Sequence, residues 1–300
     1  MLKIGIDLGG TKIAAVILDG KGTVIWEQRI ATPRHNYAEL IAAIASLVAA
    51  ADEFTHPRTA TVGIGIPGAI DSQSRRIKNS NLVLINGSSL DQDLRSAIGR
   101  DIRIGNDANC LASSEATDGA AKGAELVFAI ILGTGTGGGI ALHGTQHVGP
   151  NAIGGEWGHN PLPWPDPLTE LPGPPCYCGK FGCIETWISG TGLANDHERV
   201  TGTSRRGEEI FAEAASGNPA AEASLQRFEH RLARATATII NSLDPDVIVI
   251  GGGVSRIERL YTSVPKLWPQ FVFSPQVLTP LRPALHGDAS GVRGAAHLWG

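Results

Sequence analysis

Leu2-Lys3-Ile4-Gly5-Ile6-Asp7-Leu8-Gly9-Gly10-Thr11-Lys12-Ile13-Ala14-Ala15-Val16-Ile17-Leu18 is the stretch that decides the fold class. A short apolar run is closed by Asp7 to Lys12 and a second apolar run follows at once, which reads as strand, glycine-rich turn, strand. Asp19-Gly20-Lys21-Gly22 supplies another turn before Thr23 to Trp26, so the opening predicts a three-stranded meander. From Tyr37 to Phe54, Leu40, Ile41, Ile44, Leu47, Val48 and Ala51 recur at helical spacing, and an apolar strand, Thr61 to Ile66, follows. The device then repeats. Leu126 to Leu132 is apolar, Gly133-Thr134-Gly135-Thr136-Gly137-Gly138-Gly139 is the turn, and Ile140 to Leu142 resumes the strand. A long amphipathic helix carries Leu225, Phe228, Leu232, Ala235, Ile239 and Leu243 on one face and stops at Asp244-Pro245. Beyond it, Val247 to Ile250 opens onto Gly251-Gly252-Gly253. Strands alternating with helices imply α/β, and the duplicated openings imply two similar lobes around a cleft. The expected domains are residues 1–115, completed by a C-terminal helix over 290–300, and residues 116–289.

Composition narrows the function. Of 300 residues, 42% are hydrophobic and 18% charged, with no long charge run, so the chain has the makings of ordinary globular domains rather than a disordered segment. The formal net charge of −4 leaves no electrostatic footprint for nucleic acid or an anionic membrane, and a small-molecule partner is favoured. The longest apolar run, Leu126 to Leu132, is too short to span a bilayer, and Asp7 interrupts any signal-peptide core, so a cytoplasmic protein is expected. In that compartment Asn86-Gly87-Ser88 is a chance sequon, and the four cysteines read as thiols or metal ligands before disulfides. Glycine, at 38 residues, is in excess and gathers where apolar runs end, as tight turns approached by ligands require.

A turn without side chains lets several backbone N–H groups point at one anion, and three such turns suit a triphosphate. Taken singly, each could merely close a hairpin. Gly63-Ile64-Gly65-Ile66-Pro67-Gly68 and Gly133 to Gly138 both satisfy G-x-G-x-x-G, but neither leads from strand directly into helix, so a nicotinamide-dependent oxidoreductase is a minor alternative. No Walker A loop is present. Asp7-Leu8-Gly9-Gly10-Thr11-Lys12, Gly133 to Gly139 and Gly251-Gly252-Gly253, in that order and spacing, resemble the ROK family of sugar kinases, within the actin-like ATPase superfamily (ribonuclease H-like fold). The resemblance runs along essentially the whole chain. It implies that Gly5, Gly9, Gly10, Thr11, Lys12, Gly133, Thr134, Gly135, Gly137 and Gly138 serve the ATP phosphates, that Gly252 and Gly253 lie near the adenosine, and that Asp7 helps position Mg²⁺. It also implies a homodimer.

Ile102-Arg103-Ile104-Gly105 reads as a strand with Asn106-Asp107-Ala108-Asn109 at its end, ahead of a helical stretch from Cys110 to Ala116. Phosphoryl transfer to a sugar hydroxyl needs a group to accept the hydroxyl proton, and a carboxylate at a strand end can supply it. A helix N-cap is the plain alternative for this segment. ROK kinases place their base in this Asn-Asp-Ala-Asn motif, which implies Asp107 as base and Asn106 as a sugar contact, with Gly68 and Asn81 also on the sugar.

Cys176-x-Cys178-x₄-Cys183 clusters three cysteines, and His159 lies 17 residues before Cys176. Three thiolates and an imidazole make a closed tetrahedral site of the structural zinc type, whereas a disulfide would leave an odd thiol. Glu156 precedes His159 by three residues and Glu185 follows Cys183 by two, so zinc would fix the backbone beneath two carboxylates able to accept hydrogen bonds from sugar hydroxyls. Gly155-Glu156-Trp157-Gly158-His159 and Cys183-Ile184-Glu185 are similar to the family's sugar and zinc motifs, which also implies His159 against the sugar. A ROK-type sugar-responsive regulator is the reading from another class; such proteins carry a helix-turn-helix ahead of the first strand, whereas here that strand starts at Leu2 and Asp107 and both phosphate turns are intact. Among substrates, Lys78-Asn79-Ser80-Asn81 leading to Asn86-Gly87, and Gly155 to Trp164, resemble fructokinases that tolerate mannose. Fructose is therefore the expected substrate, with N-acetylglucosamine, mannose or glucose as alternatives.

Overall fold

The computed structural model describes residues 1–300 and divides into two compact units. The first comprises Met1–Gly123, Gly139–Gly154 and Asp288–Gly300; the second comprises Ala124–Gly138 and Gly155–Gly287.

In the first unit β1 (Leu2–Leu8), β2 (Lys12–Leu18) and β3 (Val24–Ala31) form the antiparallel meander. Helix α1 (Tyr37–Thr55), whose N-cap Asn36 accepts from the N–H groups of Ala38 and Glu39, leads to β4 (Ala60–Ile66), parallel to β1. A small hairpin of β5 (Ala69–Ile70) and β6 (Ile77–Lys78), α2 (Leu90–Ile98), β7 (Ile102–Asn106) and α3 (Asp107–Thr117) complete the run, with the sheet ordered β3-β2-β1-β4-β7. Ile4, Ile6, Ile44, Leu47 and Ile64 are almost wholly removed from water in one core, each worth roughly 1.5–3 kcal/mol of transfer free energy.

The second sheet starts with β8 (Leu126–Leu132), β9 (Thr136–Leu142) and β10 (Thr145–Gln146), and the division between units falls inside β9. An irregular stretch carries the cysteines, followed by α4 (Glu185–Ile188), α5 (Gly190–Thr201), α6 (Gly207–Ala215) and α7 (Pro219–Leu243). After β11 (Val247–Gly251), α8 (Leu260–Leu267) and β12 (Leu281–Pro283), the strand order is β10-β9-β8-β11-β12, repeating the pattern of the first sheet. The last helix, α9 (Ser290–Ala296), belongs to the first unit and packs on β1 and β4 through glycines. A Cβ on Gly5 would come within 2.1 Å of the Val292 carbonyl oxygen, and one on Gly63 within 1.8 Å of that of Ala295.

Two strands differ from their sequence reading. The third continues past Trp26 through Glu27, Gln28 and Arg29, because an edge strand need not be apolar on its exposed side. The seven-residue glycine turn is shorter than expected: β9 already begins at Thr136, and Gly137, Gly138 and Gly139 are strand residues. Gly138 has a packing reason, since a Cβ there would lie 2.4 Å from both the Gly155 carbonyl oxygen and the Trp157 ring.

Candidate active site

The residues expected to carry the chemistry fall into one group in each unit. In the first, β1 delivers Asp7 to the turn at Gly9, Gly10 and Thr11, with Lys12 opening β2. The turn is tied by Gly9 N–H donating to the Lys12 carbonyl at 3.0 Å, by the Thr32 hydroxyl donating to the Gly9 carbonyl at 2.7 Å and by Thr32 N–H donating to the Thr11 carbonyl at 3.1 Å. Burial pushes the Asp7 carboxyl up to about 6, against the pull of Lys12, so a cation at this carboxylate would relieve an unfavourable charge. Gly5, expected among the nucleotide glycines, instead lies in the middle of β1, where α9 occupies the space a side chain would need.

Asn106 ends β7 and caps α3, its Oδ1 accepting from the N–H groups of Ala108 and Asn109, while its Nδ2 donates to the Gly68 carbonyl at 3.1 Å. Asp107 is the first residue of the helix, and its Oδ1 accepts from Ala108 N–H at 2.8 Å. The capping role weighed for this motif thus falls to Asn106. Gly68 has φ +84°, and a Cβ there would strike the Lys78 carbonyl and Ser80 backbone, so this backbone approach admits only glycine. Asn81 is exposed in the following loop, which Asn86 staples by accepting from Ser80 N–H and donating to the Ser80 carbonyl.

In the second unit Gly133, Thr134 and Gly135 turn between β8 and β9, closed by Gly133 N–H donating to the Gly135 carbonyl at 3.0 Å. The Glu185 carboxylate, on the first residue of α4, accepts from Thr136 N–H at 2.8 Å, and Gly190 N–H donates to the Gly133 carbonyl at 2.7 Å. This turn and Glu185 are therefore one structure, a link carried by Thr136 that spacing in the sequence does not signal. Gly252, at φ +83°, lies against the Leu132 carbonyl with no room for a Cβ, and Gly253 starts a 3₁₀ turn.

The side chains of His159, Cys176, Cys178 and Cys183 present donor atoms within 4.8 Å of one another. Cys178 Sγ lies 3.6 Å from Cys183 Sγ, and Cys176 Sγ lies 3.6 Å from His159 Nδ1. A tetrahedral zinc with bonds of about 2.3 Å to sulfur and 2.0–2.1 Å to nitrogen spaces two sulfurs roughly 3.8 Å apart and a sulfur and nitrogen roughly 3.6 Å apart, so the donor set fits that ion. Burial pushes the Cys176 and Cys183 thiols up, while backbone N–H donation from Lys180 draws Cys178 down. All four cysteines, the buried Cys110 included, are free thiols. His159 Nε2 meets the Tyr177 hydroxyl at 3.0 Å, with the rings edge to face. Burial raises the Glu156 carboxyl, His159 opposes the rise and Glu185 adds to it, so the two carboxylates and the imidazole sense one another. Tyr177, between two cysteines, is a neighbour of this group that the motif reading passed over.

Comparison with known proteins identifies the family. A model of the ROK family matches residues 3–300. An N-acetyl-D-glucosamine kinase of Yersinia enterocolitica is 40% identical over 298 residues, covering 98% of each chain. The crystal structure of a ROK hexokinase from Thermus thermophilus superposes with a TM-score of 0.86 at 31% identity, covering 99% of this chain and 97% of that one. A ROK family glucokinase from Streptomyces griseus, in complex with glucose and AMPPNP, gives 0.79 at 28% identity, with 99% of each chain covered. No helix of the structure is long and apolar enough to cross a membrane. The chain belongs to the ROK family, as an ATP-dependent sugar kinase.

Proposed function

We propose that the enzyme transfers the γ-phosphoryl group of Mg-ATP to a hydroxyl of N-acetyl-D-glucosamine. The observation that carries the choice of sugar is the set of relatives, 38–40% identical over 298 residues, that are N-acetyl-D-glucosamine kinases. They favour the alternative weighed above over fructose, whose support was confined to two loops. Asp107 acts as base: it takes the hydroxyl proton as the sugar oxygen bonds to the γ-phosphorus, the bond to the β,γ-bridging oxygen breaks, and ADP departs. Glu156 and Glu185 accept from sugar hydroxyls and His159 lies against the sugar, joined by Asn81, Asn106 and the backbone at Gly68. The turns at Gly9 to Lys12 and Gly133 to Gly135 serve the phosphates, with Gly252 and Gly253 toward the adenosine. Asp7 would hold Mg²⁺, which neutralises charge on the transferring phosphate. Zinc on His159 and the three cysteines has a structural part, fixing the backbone that presents Glu156 and Glu185.

A coupled ADP-release assay across N-acetylglucosamine, glucose, mannose and fructose tests the reading. N-acetylglucosamine is expected to give the highest kcat/KM. A clear preference for fructose would restore the earlier expectation, and no ADP release with any hexose would sink the kinase mechanism.

A further inference from the structure

Between His159 and Cys176 the chain makes a loop with little regular structure, yet Glu170 within it is 7% exposed. Its carboxylate is enclosed by two arginines of α7 that stand one turn apart, Arg231 and Arg234, at 2% and 4% exposure. Arg231 Nε donates to Glu170 Oε1 at 2.8 Å, and Arg234 Nη2 donates to Oε1 and Oε2 at 2.7 and 2.9 Å. The loop closes on the same carboxylate through Asp166 N–H at 2.9 Å. Arg234 Nη1 also donates to the carbonyls of Pro163 and Trp164. Trp164 takes φ +46°, a conformation that tryptophan rarely adopts and that must be held from outside. Arg231 has two further attachments: Nη1 lies 3.0 Å from Asp196 Oδ1 of α5, and its guanidinium stacks 4.3 Å above the Trp187 ring of α4.

These contacts grip both arms of the cysteine segment. On the incoming arm, three residues after Glu170, Gly173 packs so tightly that a Cβ would come within 2.4 Å of Gly182 Cα, and Gly182 precedes Cys183. Gly182 N–H donates to the Pro174 carbonyl at 2.8 Å, fixing that contact. On the outgoing arm, Trp187 lies two residues beyond Glu185 on the same short helix. We propose that Glu170, Arg231 and Arg234 are positioning residues, which set the zinc ligands and the Glu185 carboxylate in place through the backbone of residues 160–187. The sugar arm of this inference rests on the phosphoryl transfer proposed above; the metal arm rests only on the zinc proposed for the cysteine site.

Arg231→Lys keeps the charge but loses the planar fork that serves Glu170 and Asp196 while stacking on Trp187. The variant is expected to fold, to release zinc to 4-(2-pyridylazo)resorcinol roughly 10–100-fold faster, in keeping with the effect of outer-shell changes on metal sites, and to raise KM for the sugar about tenfold with KM for Mg-ATP unchanged. Glu170→Gln should act in the same direction, and Glu170→Asp should recover part of the loss. A folded Arg231→Lys protein with wild-type zinc release and wild-type sugar KM would overturn the proposal, whatever its melting temperature. If the wild type phosphorylated no hexose, the kinase reading would fail while the zinc-release comparison still decided this one.

Discussion

Asp107 and Glu185 are both carboxylates on the first residue of a helix, but the two helices reach their places by different physics. Asp107 sits where a sheet strand of five residues meets an eleven-residue helix whose N-cap is its own neighbour, Asn106. Backbone hydrogen bonding and pleat geometry set that position. Glu185 begins a four-residue helix, too short to hold itself. In the reading proposed above, it depends on three thiols, one imidazole and the buried Glu170–Arg231–Arg234 cluster beside it. The position of the first carboxylate should therefore withstand loss of the metal, and that of the second should not.

The largest effect expected is chemical. Asp107→Asn preserves shape, so fold and Mg-ATP binding should persist while kcat falls by on the order of 10²–10⁴, the usual worth of a positioned base. Near wild-type turnover, measured with calorimetry of Mg-ATP binding as the control, would remove Asp107 from that role.

Zinc removal probes the other side of the contrast. Chelation or Cys178→Ser should raise KM for the sugar about 10–100-fold before KM for Mg-ATP is affected. Metal analysis should find close to one zinc per chain. Active protein free of zinc would break the comparison outright.

Gly63→Ala sharpens it from the first unit. With Ala295 O at 1.8 Å from the new Cβ, α9 must shift, and a loss of about 1–3 kcal/mol by chemical denaturation is expected. Zinc content should be unaffected; loss of the metal would mean that this glycine packing supports the cysteine site as well.

The smallest effect concerns pH. Burial alone would raise the Glu170 carboxyl, but hydrogen bonds from Arg234 and Arg231 outweigh it and hold the group at about 2. A depressed carboxyl contributes stability above its unfolded value, near 4.5, and that stability is lost as pH falls toward 2. Thermal unfolding between pH 5 and 2 should show it, and Glu170→Gln should flatten the slope; an unchanged slope would show that other carboxylates carry it.

Much of the fold and the outline of both carboxylates' settings was legible. The apolar runs of β1, β2, β4 and β8, the periodicity of α1 and α7, and the Asn-Asp-Ala-Asn and Cys-x-Cys motifs each express a local rule: strand burial, helical spacing or ligand chemistry. Substrate choice was less legible. Two loop segments pointed to fructose, whereas relatives spanning nearly the whole chain pointed to N-acetylglucosamine, because discrimination between sugars depends on the shape of a pocket assembled from distant residues.

By itself the sequence determined the α/β class, the duplicated strand-turn-strand pattern, the cluster of three cysteines and the carboxylate at a strand end, since each of these needs only neighbours along the chain. Only tertiary structure decided that Gly5 and Gly63 make room for α9, and that Glu170, Arg231 and Arg234 form a buried cluster. Charged residues in a loop and on a helix read as solvated when taken singly. They become buried only when partners 61 and 64 positions apart supply the hydrogen bonds that water would otherwise give.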